Sequence, residues 1–165
     1  MSTLWMMWLA CHRPGPDDSG GSADSADTAA DSNALAFRDI VSVGEEIRRG
    51  PDPCSEVVAY LYQDASELEA GLTEWAPNSL ERGNFDLVEI DWGTETGIIA
   101  FRECNFSGFS LELVASERAD ADVRLSYVIH SYGGVEEDMR AVGVSAVERG
   151  DYAGTVVDSE LDLPQ

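Results

Sequence analysis

Histidine and lysine, two side chains that often serve as the base in nucleophilic catalysis, are scarce in this 165-residue chain. It has two histidines, His12 and His130, and every basic residue is an arginine. Nucleophilic catalysis needs a base held beside a serine or cysteine. His130 precedes Ser131, but strand alternation puts it on a polar face, where an exposed histidine is the simpler interpretation. The segment Gly108–Leu111 lacks the glycine two places after the serine that a nucleophile elbow requires.

Carboxylates are the abundant reactive groups, since the chain has 32 Asp and Glu but only 10 Arg, which gives a formal net charge of -22. A hydrolase that uses two carboxylates is therefore an alternative that the inventory leaves open. Nucleic acid is a poor partner, because phosphate binding needs Lys and Arg. The sequence contains neither a phosphate-binding glycine loop with Lys nor a metal-binding histidine pair. A solvated acidic surface explains the charge, and we expect no cofactor, no metal and no catalysis.

An apolar run, Leu4–Leu9, is followed by the small residue Ala10 and then by Cys11. This order is similar to the lipobox of bacterial lipoproteins, in which the lipidated cysteine becomes the mature N-terminus. The resemblance implies a signal peptide in residues 1–10 and a membrane anchor of acyl chains such as palmitate on Cys11. His12 stands where lipoproteins kept at the inner membrane carry Asp, which favours the outer membrane. The alternative is an ordinary thiol behind an apolar N-terminus.

Residues 11–34 are predicted to be a disordered acidic tether. Their Gly, Ser, Ala, Asp and Pro composition cannot bury enough apolar surface to offset chain entropy. Repeated Asp side chains repel one another and extend such a segment. A calcium site at Asp24, Asp27 and Asp31 is a more specific alternative to a disordered tether. The central glycine and closing glutamate of a calcium loop are, however, missing.

Two further cysteines, Cys54 and Cys104, remain if Cys11 carries lipid. An exported domain usually joins two such thiols. The bond would close a loop of about 50 residues and stabilise the fold by about 3–4 kcal/mol. The sequence therefore predicts a Cys54–Cys104 disulfide.

Residues 35–165 are predicted to form one mainly β globular domain. Alternating or continuous apolar patterns indicate short strands, at Phe37–Val43, Glu56–Tyr62, Leu87–Trp92, Ile98–Phe101, Phe109–Leu113, Val123–His130, Val142–Ala146 and Ala153–Val157. Ile98–Phe101 is apolar throughout, which is typical of a strand covered on both faces. Phe109–Leu113 alternates, which is typical of a half-buried strand.

One helix interrupts this pattern. Apolar residues fall at helical spacing after the second strand, at Leu68, Leu72 and Trp75. Asp64 or Ser66 is the N-cap, Pro77 ends the helix, and a loop over residues 78–84 follows. The chain is thus predicted to be mainly β (α+β), an antiparallel sandwich or open barrel of about seven strands with one helix packed on it.

The segment Asn105–Phe109 is polar and contains Gly, yet it carries two aromatic residues, Phe106 and Phe109. Aromatic residues pack in a core by default. Loops on a rigid β scaffold often carry recognition, however. Phe106 and Phe109 are therefore the candidate contact residues for a partner.

From the helix onward, the order of elements resembles the PrcB-like domain family. That family is the C-terminal domain of a lipoprotein that stabilises a bacterial surface protease complex. The resemblance is carried by the helix, an Asp-aromatic pair, an apolar strand and a Gly-Tyr-Ser-like step, here Asp64–Trp75, Asp91-Trp92, Ile98–Phe101 and Ser107–Leu113. The family's Pro-containing segment is missing around Gly133–Arg140, and Asp151–Gly154 echoes its Thr-Tyr-Pro-Tyr stretch faintly. The family supplies no catalytic residue.

Together, these features predict a lipid-anchored, disulfide-bonded and non-catalytic binding domain of the bacterial cell envelope. By the family resemblance, it would stabilise or dock a secreted protease or another secreted protein. Two alternatives remain, a small carboxylate-based envelope hydrolase and a structural surface lipoprotein without a specific partner.

Overall fold

The computed structural model describes residues 33–48, 50–51, 53–86, 88–104, 108–132 and 138–162. Seven strands and two helices lie within these ranges, in the order β1 (Phe37–Glu46), β2 (Val58–Tyr62), α1 (Ala65–Trp75), α2 (Pro77–Glu81), β3 (Glu95–Cys104), β4 (Phe109–Ala119), β5 (Asp122–Ser131), β6 (Met139–Glu148) and β7 (Thr155–Asp162). The mainly β fold with about seven strands is confirmed. Cys11 and most of the predicted tether lie outside the described residues.

The strands form two sheets, which makes the molecule a sandwich. The first has the order β1-β6-β3-β2 and is antiparallel, and the second has the order β4-β5-β7. The helices pack on the outer face of the four-stranded sheet. The molecule thus has three layers, and two apolar cores separate them.

The core between the sheets is built from inward-facing residues of strands in both sheets, including Ala59, Ile98, Leu113, Leu125 and Tyr127. The core between the helices and the four-stranded sheet includes Leu68, Leu72, Ile99, Phe101 and Val144. β3 contributes to both cores, which confirms that Ile98–Phe101 is covered on both faces. The alternating pattern of β6 predicts one buried face, but Ala141–Val147 is buried throughout, because β6 is also an interior strand of the middle layer.

Helix α1 begins where the sequence predicts. The Asp64 carboxylate accepts hydrogen bonds from the backbone N–H groups of Ser66 and Glu67 at 2.8 and 2.9 Å, so Asp64 is the N-cap. These hydrogen bonds hold the pKa of Asp64 below its ordinary value. The Glu67 side chain accepts from Gln63 N–H at 3.0 Å rather than from the cap residue itself.

The prediction that Pro77 is followed by a loop over residues 78–84 is wrong, because Pro77 begins the second helix, α2. Proline is tolerated in the first helical turn, where its missing N–H has no intrahelical partner. The Glu45 carboxylate of β1 accepts from Asn78 N–H at 3.0 Å and from Ser79 N–H at 2.9 Å. Glu45 is 2% exposed, so a buried carboxylate from another element replaces the local cap.

The predicted strand Leu87–Trp92 is also absent, since the described residues 88–92 have no strand pairing. The Asp91 carboxylate accepts from Gly93 N–H and from the Thr94 hydroxyl at 3.0 Å each, which turns the chain sharply into β3. Val88, Ile90 and Trp92 nevertheless pack on the helix-side core. The alternation of these apolar residues therefore reflects a loop that covers the core with every second side chain, and not a strand.

The last strand lies further along the chain than the predicted Ala153–Val157 and runs parallel to β5. The parallel direction follows from the route of the chain, because β6 crosses to the other sheet between β5 and β7. This pair is the exception to the antiparallel sandwich that the sequence predicts.

Candidate functional site: the open seam

The two sheets meet along two sides, and the side between β1 and β4 is sealed. The Asp39 carboxylate accepts from Leu113 N–H at 3.1 Å, and the Ser42 hydroxyl accepts from Leu111 N–H at 2.9 Å. Both strands have a register irregularity here, which turns polar groups toward the neighbouring sheet. Burial raises the pKa of Asp39, although the hydrogen bonds that it accepts oppose that rise. We call this junction the closed seam.

Backbone groups that precede β1 extend the closed seam. Leu35 N–H donates to Ser116 O at 3.0 Å, and Arg118 N–H donates to Asn33 O at 2.7 Å. An isolated bridge joins Ala34 to β4. Asn33 and Ala34, which the sequence assigns to the tether, therefore already contact the folded domain.

The opposite side, between β2 and β7, is open. β2 is the edge of the four-stranded sheet and β7 is the edge of the three-stranded sheet, and the two do not pair. The Thr155 hydroxyl donates to Ala59 O at 2.9 Å across the gap. A groove of about 540 Å³ lies here, lined by residues 58–61, Gln63 and residues 152–155. We call this junction the open seam.

The backbone of β2 faces the open seam at alternate residues. Since Ala59 O points toward Thr155, the N–H and C=O groups of Ala59 and Leu61 lie on the side away from β3. Unpaired groups on an edge strand are the template on which an extended peptide adds as a further strand. The open seam therefore offers backbone pairing in addition to a groove.

An aromatic stack holds the outer face of β2. The Tyr60 ring lies 5.7 Å from the Trp75 ring, and the Trp75 ring lies 4.2 Å from the Phe101 ring, measured between centroids. The Arg140 guanidinium lies 5.3 Å from the Trp75 ring centroid and pairs with Glu103. Stacked rings and a cation over their faces favour a fixed geometry. Tyr60 is 44% exposed, so this rigid outer wall of the groove ends in an accessible ring.

Tyr152 forms part of the other wall and is similarly fixed. Its hydroxyl donates to Glu148 O at 2.7 Å, and the Arg118 guanidinium lies 5.4 Å from its ring centroid. The ring also covers Gly150, where an added Cβ would lie 2.5 Å from a Tyr152 ring carbon. A groove with rigid walls costs less entropy on binding than one that must first become ordered.

The structure joins Cys54 to Cys104, as the sequence predicts, with 4.3 Å between the Cα atoms. Cys54 lies shortly before β2, and Cys104 is the last residue of β3. The bond therefore holds the chain just before β2 against the end of β3, the strand with which β2 pairs. The covalent link supports the β2 side of the open seam.

The candidate contact residues are placed elsewhere or not described. Phe106 lies outside the described residues. Phe109 is the first residue of β4, and its half-buried ring packs against the core between the sheets, 5.4 Å from the Arg102 guanidinium. Its role as a contact residue stays a prediction. The open seam could not be predicted, because the sequence does not show which strands lie at the edges of the sheets.

His130 lies on the outer face of the three-stranded sheet, as strand alternation predicts. Its Nε2 atom lies 2.6 Å from a Glu112 carboxylate oxygen, and its Nδ1 atom lies 3.3 Å from an Asp162 oxygen. The contact with Glu112 is the larger cause that raises the pKa of His130. Both ring nitrogens are thus occupied by carboxylates, which favours an imidazolium held in ion pairs over a base beside a nucleophile.

A comparison of the chain with family models, with curated proteins and with solved structures finds no match. Within the described residues, no cluster of three or more His, Cys, Asp or Glu side chains is arranged to hold a metal ion. The helices described here are too short and too polar for any of them to cross a membrane.

Proposed function

We propose that this protein is a non-catalytic binding domain of the bacterial envelope, tethered through a lipid on Cys11, that docks a secreted protein such as a protease. The observation that carries the proposal is the open seam. It combines the edges of β2 and β7, with which no further strand of the described residues pairs, with a groove between rigid walls. Edges of this kind bind extended segments, and neighbouring side chains supply specificity.

The partner segment would lie along the groove and touch exposed apolar side chains of β2. Val58 and Tyr60 are 38% and 44% exposed, and both line the groove. Apolar side chains beside a backbone ladder are typical of interfaces formed by strand addition. The acyl anchor and the acidic segment before Asn33 would hold this surface near, but not against, an anionic bilayer.

Co-purification with a matched pair of variants tests the docking role. The tagged full-length protein is isolated from envelopes in mild detergent, and the proteins that elute with it are quantified by mass spectrometry. Val58→Arg places a charge in the groove, whereas Phe37→Arg places the same charge on β1, at the opposite edge of the sheet, where the side chain is also 38% exposed. We expect a stoichiometric secreted protein that Val58→Arg loses and Phe37→Arg retains.

Other outcomes contradict the proposal. A partner retained by both variants binds elsewhere on the protein. The absence of any stoichiometric partner supports a structural lipoprotein instead. The anchor is tested separately, since Cys11→Ser should release the protein from membranes, and continued membrane retention of that variant would contradict attachment through Cys11.

A further inference from the structure

We infer that the segment bound in the open seam continues beyond the groove along the outer edge of β7, where it adds as a strand and alternates basic and apolar residues. The inference rests on the proposed function and specifies the chemistry of the partner. It is carried by the edge of β7, by the side chains on its two faces and by the charge of the chain.

The edge of β7 is available over most of its length. β7 pairs with β5 along Thr155–Asp162, and its other side meets β2 at Thr155. Beyond Thr155, no strand in the described part of the chain lies beside this edge. An added strand would continue the three-stranded sheet and narrow the gap toward β2.

The inner face of β7 has room for apolar side chains. Val157 and Leu161 lie on this face, opposite Leu125 and Ile129 of β5. Val157 packs against the core between the sheets, but Leu161, further along the strand, is 44% exposed. An apolar side chain from an added strand would cover Leu161, because neighbouring strands place such pairs side by side.

The outer face of β7 is acidic, so a partner strand would need basic side chains on that face. Asp158, Glu160 and Asp162 alternate along it, as residues on one face of a strand do. Arg124 lies 3.6 Å from Asp158, and His130 lies 3.3 Å from Asp162. Glu160, between them, has no ion-pair partner within the described residues. Lys or Arg on the outward face of an added strand would therefore lie beside a row of acids with one charge uncompensated.

Charge also argues against two other occupants. A second copy of β7 would place its own acids beside Asp158, Glu160 and Asp162. The segment 14–33 of this chain carries repeated Asp and no Lys or Arg. Like charges on neighbouring strands are destabilising. A net charge of -22 opposes self-association and attracts a basic partner over longer distances as well.

Two synthetic peptides about as long as β7 provide the test. One alternates Lys and Val, and the other alternates Glu and Val, so they share apolar content and strand propensity. Binding of each labelled peptide to the full-length protein in detergent is measured by fluorescence anisotropy. We expect the Lys peptide to bind in preference to the Glu peptide. Replacing Glu160→Lys should weaken its binding about fivefold, since an attractive cross-strand pair becomes repulsive.

Glu81→Lys is the matched control, because Glu81 is an exposed acid at the end of α2 and the variant has the same net charge. It should leave the affinity for the Lys peptide unchanged. Equal affinities for the two peptides, no binding of either, or equal weakening by both variants would overturn the inference. If the Lys peptide is not preferred while a secreted partner still depends on Val58, the charge assignment alone fails. If dependence on Val58 is also lost, the proposed function fails with it.

Discussion

The closed and open seams are both junctions between edge strands of the two sheets, but only the closed seam is sealed by hydrogen bonds along its length. At the closed seam, Asp39 and Ser42 present side-chain acceptors to backbone N–H groups of β4. At the open seam, a single hydroxyl, that of Thr155, reaches a backbone carbonyl of β2. The named strands at both junctions share no ladder, so the closed seam is sealed by these side chains together with the backbone hydrogen bonds of the residues before β1. The comparison shows that a sandwich can use a few side chains to close one side and leave the other for a partner.

The largest expected effect comes from the disulfide that supports the open seam. Replacing both Cys54→Ala and Cys104→Ala removes a link between residues separated by 50 positions. The free energy of unfolding, measured by urea denaturation, should fall by about 3–4 kcal/mol. Hydrogen exchange should then accelerate more in β2 than in β1, because the bond ties the start of β2 to β3 and does not touch β1. Equal acceleration in both strands would mean that the bond does not specifically support the open seam.

Removing the carboxylate at the closed seam should have the next largest effect. Asp39→Ala leaves Leu113 N–H without its acceptor, and the Ser145 hydroxyl also loses a partner at 3.2 Å. We expect the free energy of unfolding to fall by about 1–2 kcal/mol, because the N–H of the buried Leu113 loses its acceptor, although Asp39 itself is exposed and water can reach the site. Asp151→Ala, at an exposed acid, is the control. Similar losses in the two variants would contradict the sealing role of Asp39.

A direct comparison of the seams uses two hydroxyl deletions. Ser42→Ala removes the acceptor of Leu111 N–H, and we expect a loss of about 1 kcal/mol. Thr155→Val removes a donor to Ala59 O in the open groove, where water can replace it, and we expect a loss below about 0.5 kcal/mol. Both values come from urea denaturation. A larger loss for Thr155→Val would show that the open seam is held as firmly as the closed one.

The smallest effect concerns the ion pairs behind β7. The pKa of His130 is raised above 6.5 in the folded protein, chiefly by Glu112 and secondarily by Asp162. Its stabilising contribution is therefore complete below pH 6.5 and is lost as the pH rises through the folded pKa. His130→Gln should lower the free energy of unfolding by less than about 1 kcal/mol below pH 6.5, because the group is exposed to solvent. A difference from wild type that grows at higher pH would contradict this sign.

Several elements of the fold can be predicted because their signals are local. The run Ile98–Phe101 indicates a doubly covered strand, and Asp64 indicates a helix start, and both predictions are confirmed. Val123, Leu125, Tyr127 and Ile129 are buried on one face of β5, as their alternation indicates. Each of these patterns depends on neighbouring residues and a single period.

The errors arise where a distant element decides the outcome. Pro77 starts a helix because Glu45, far away in the sequence, caps it. Val88, Ile90 and Trp92 alternate like a strand, yet they cover the helix-side core without a ladder partner. Alternation reports which side chains are buried, not what buries them. The open seam could not be predicted for the same reason, since edges are defined by the order of strands in the sheets.

The buried carboxylate of Glu45 has a consequence for the order in which the chain folds. Helix α2 has five residues and is too short to persist alone. Its first turn is completed by a side chain from β1, so the helix gains its cap only when β1 lies beside it. We expect the folding of α2 to be slower than that of a locally capped helix, because it is coupled to a contact of high sequence separation. In α1, by contrast, the cap and the helix form from one stretch of chain.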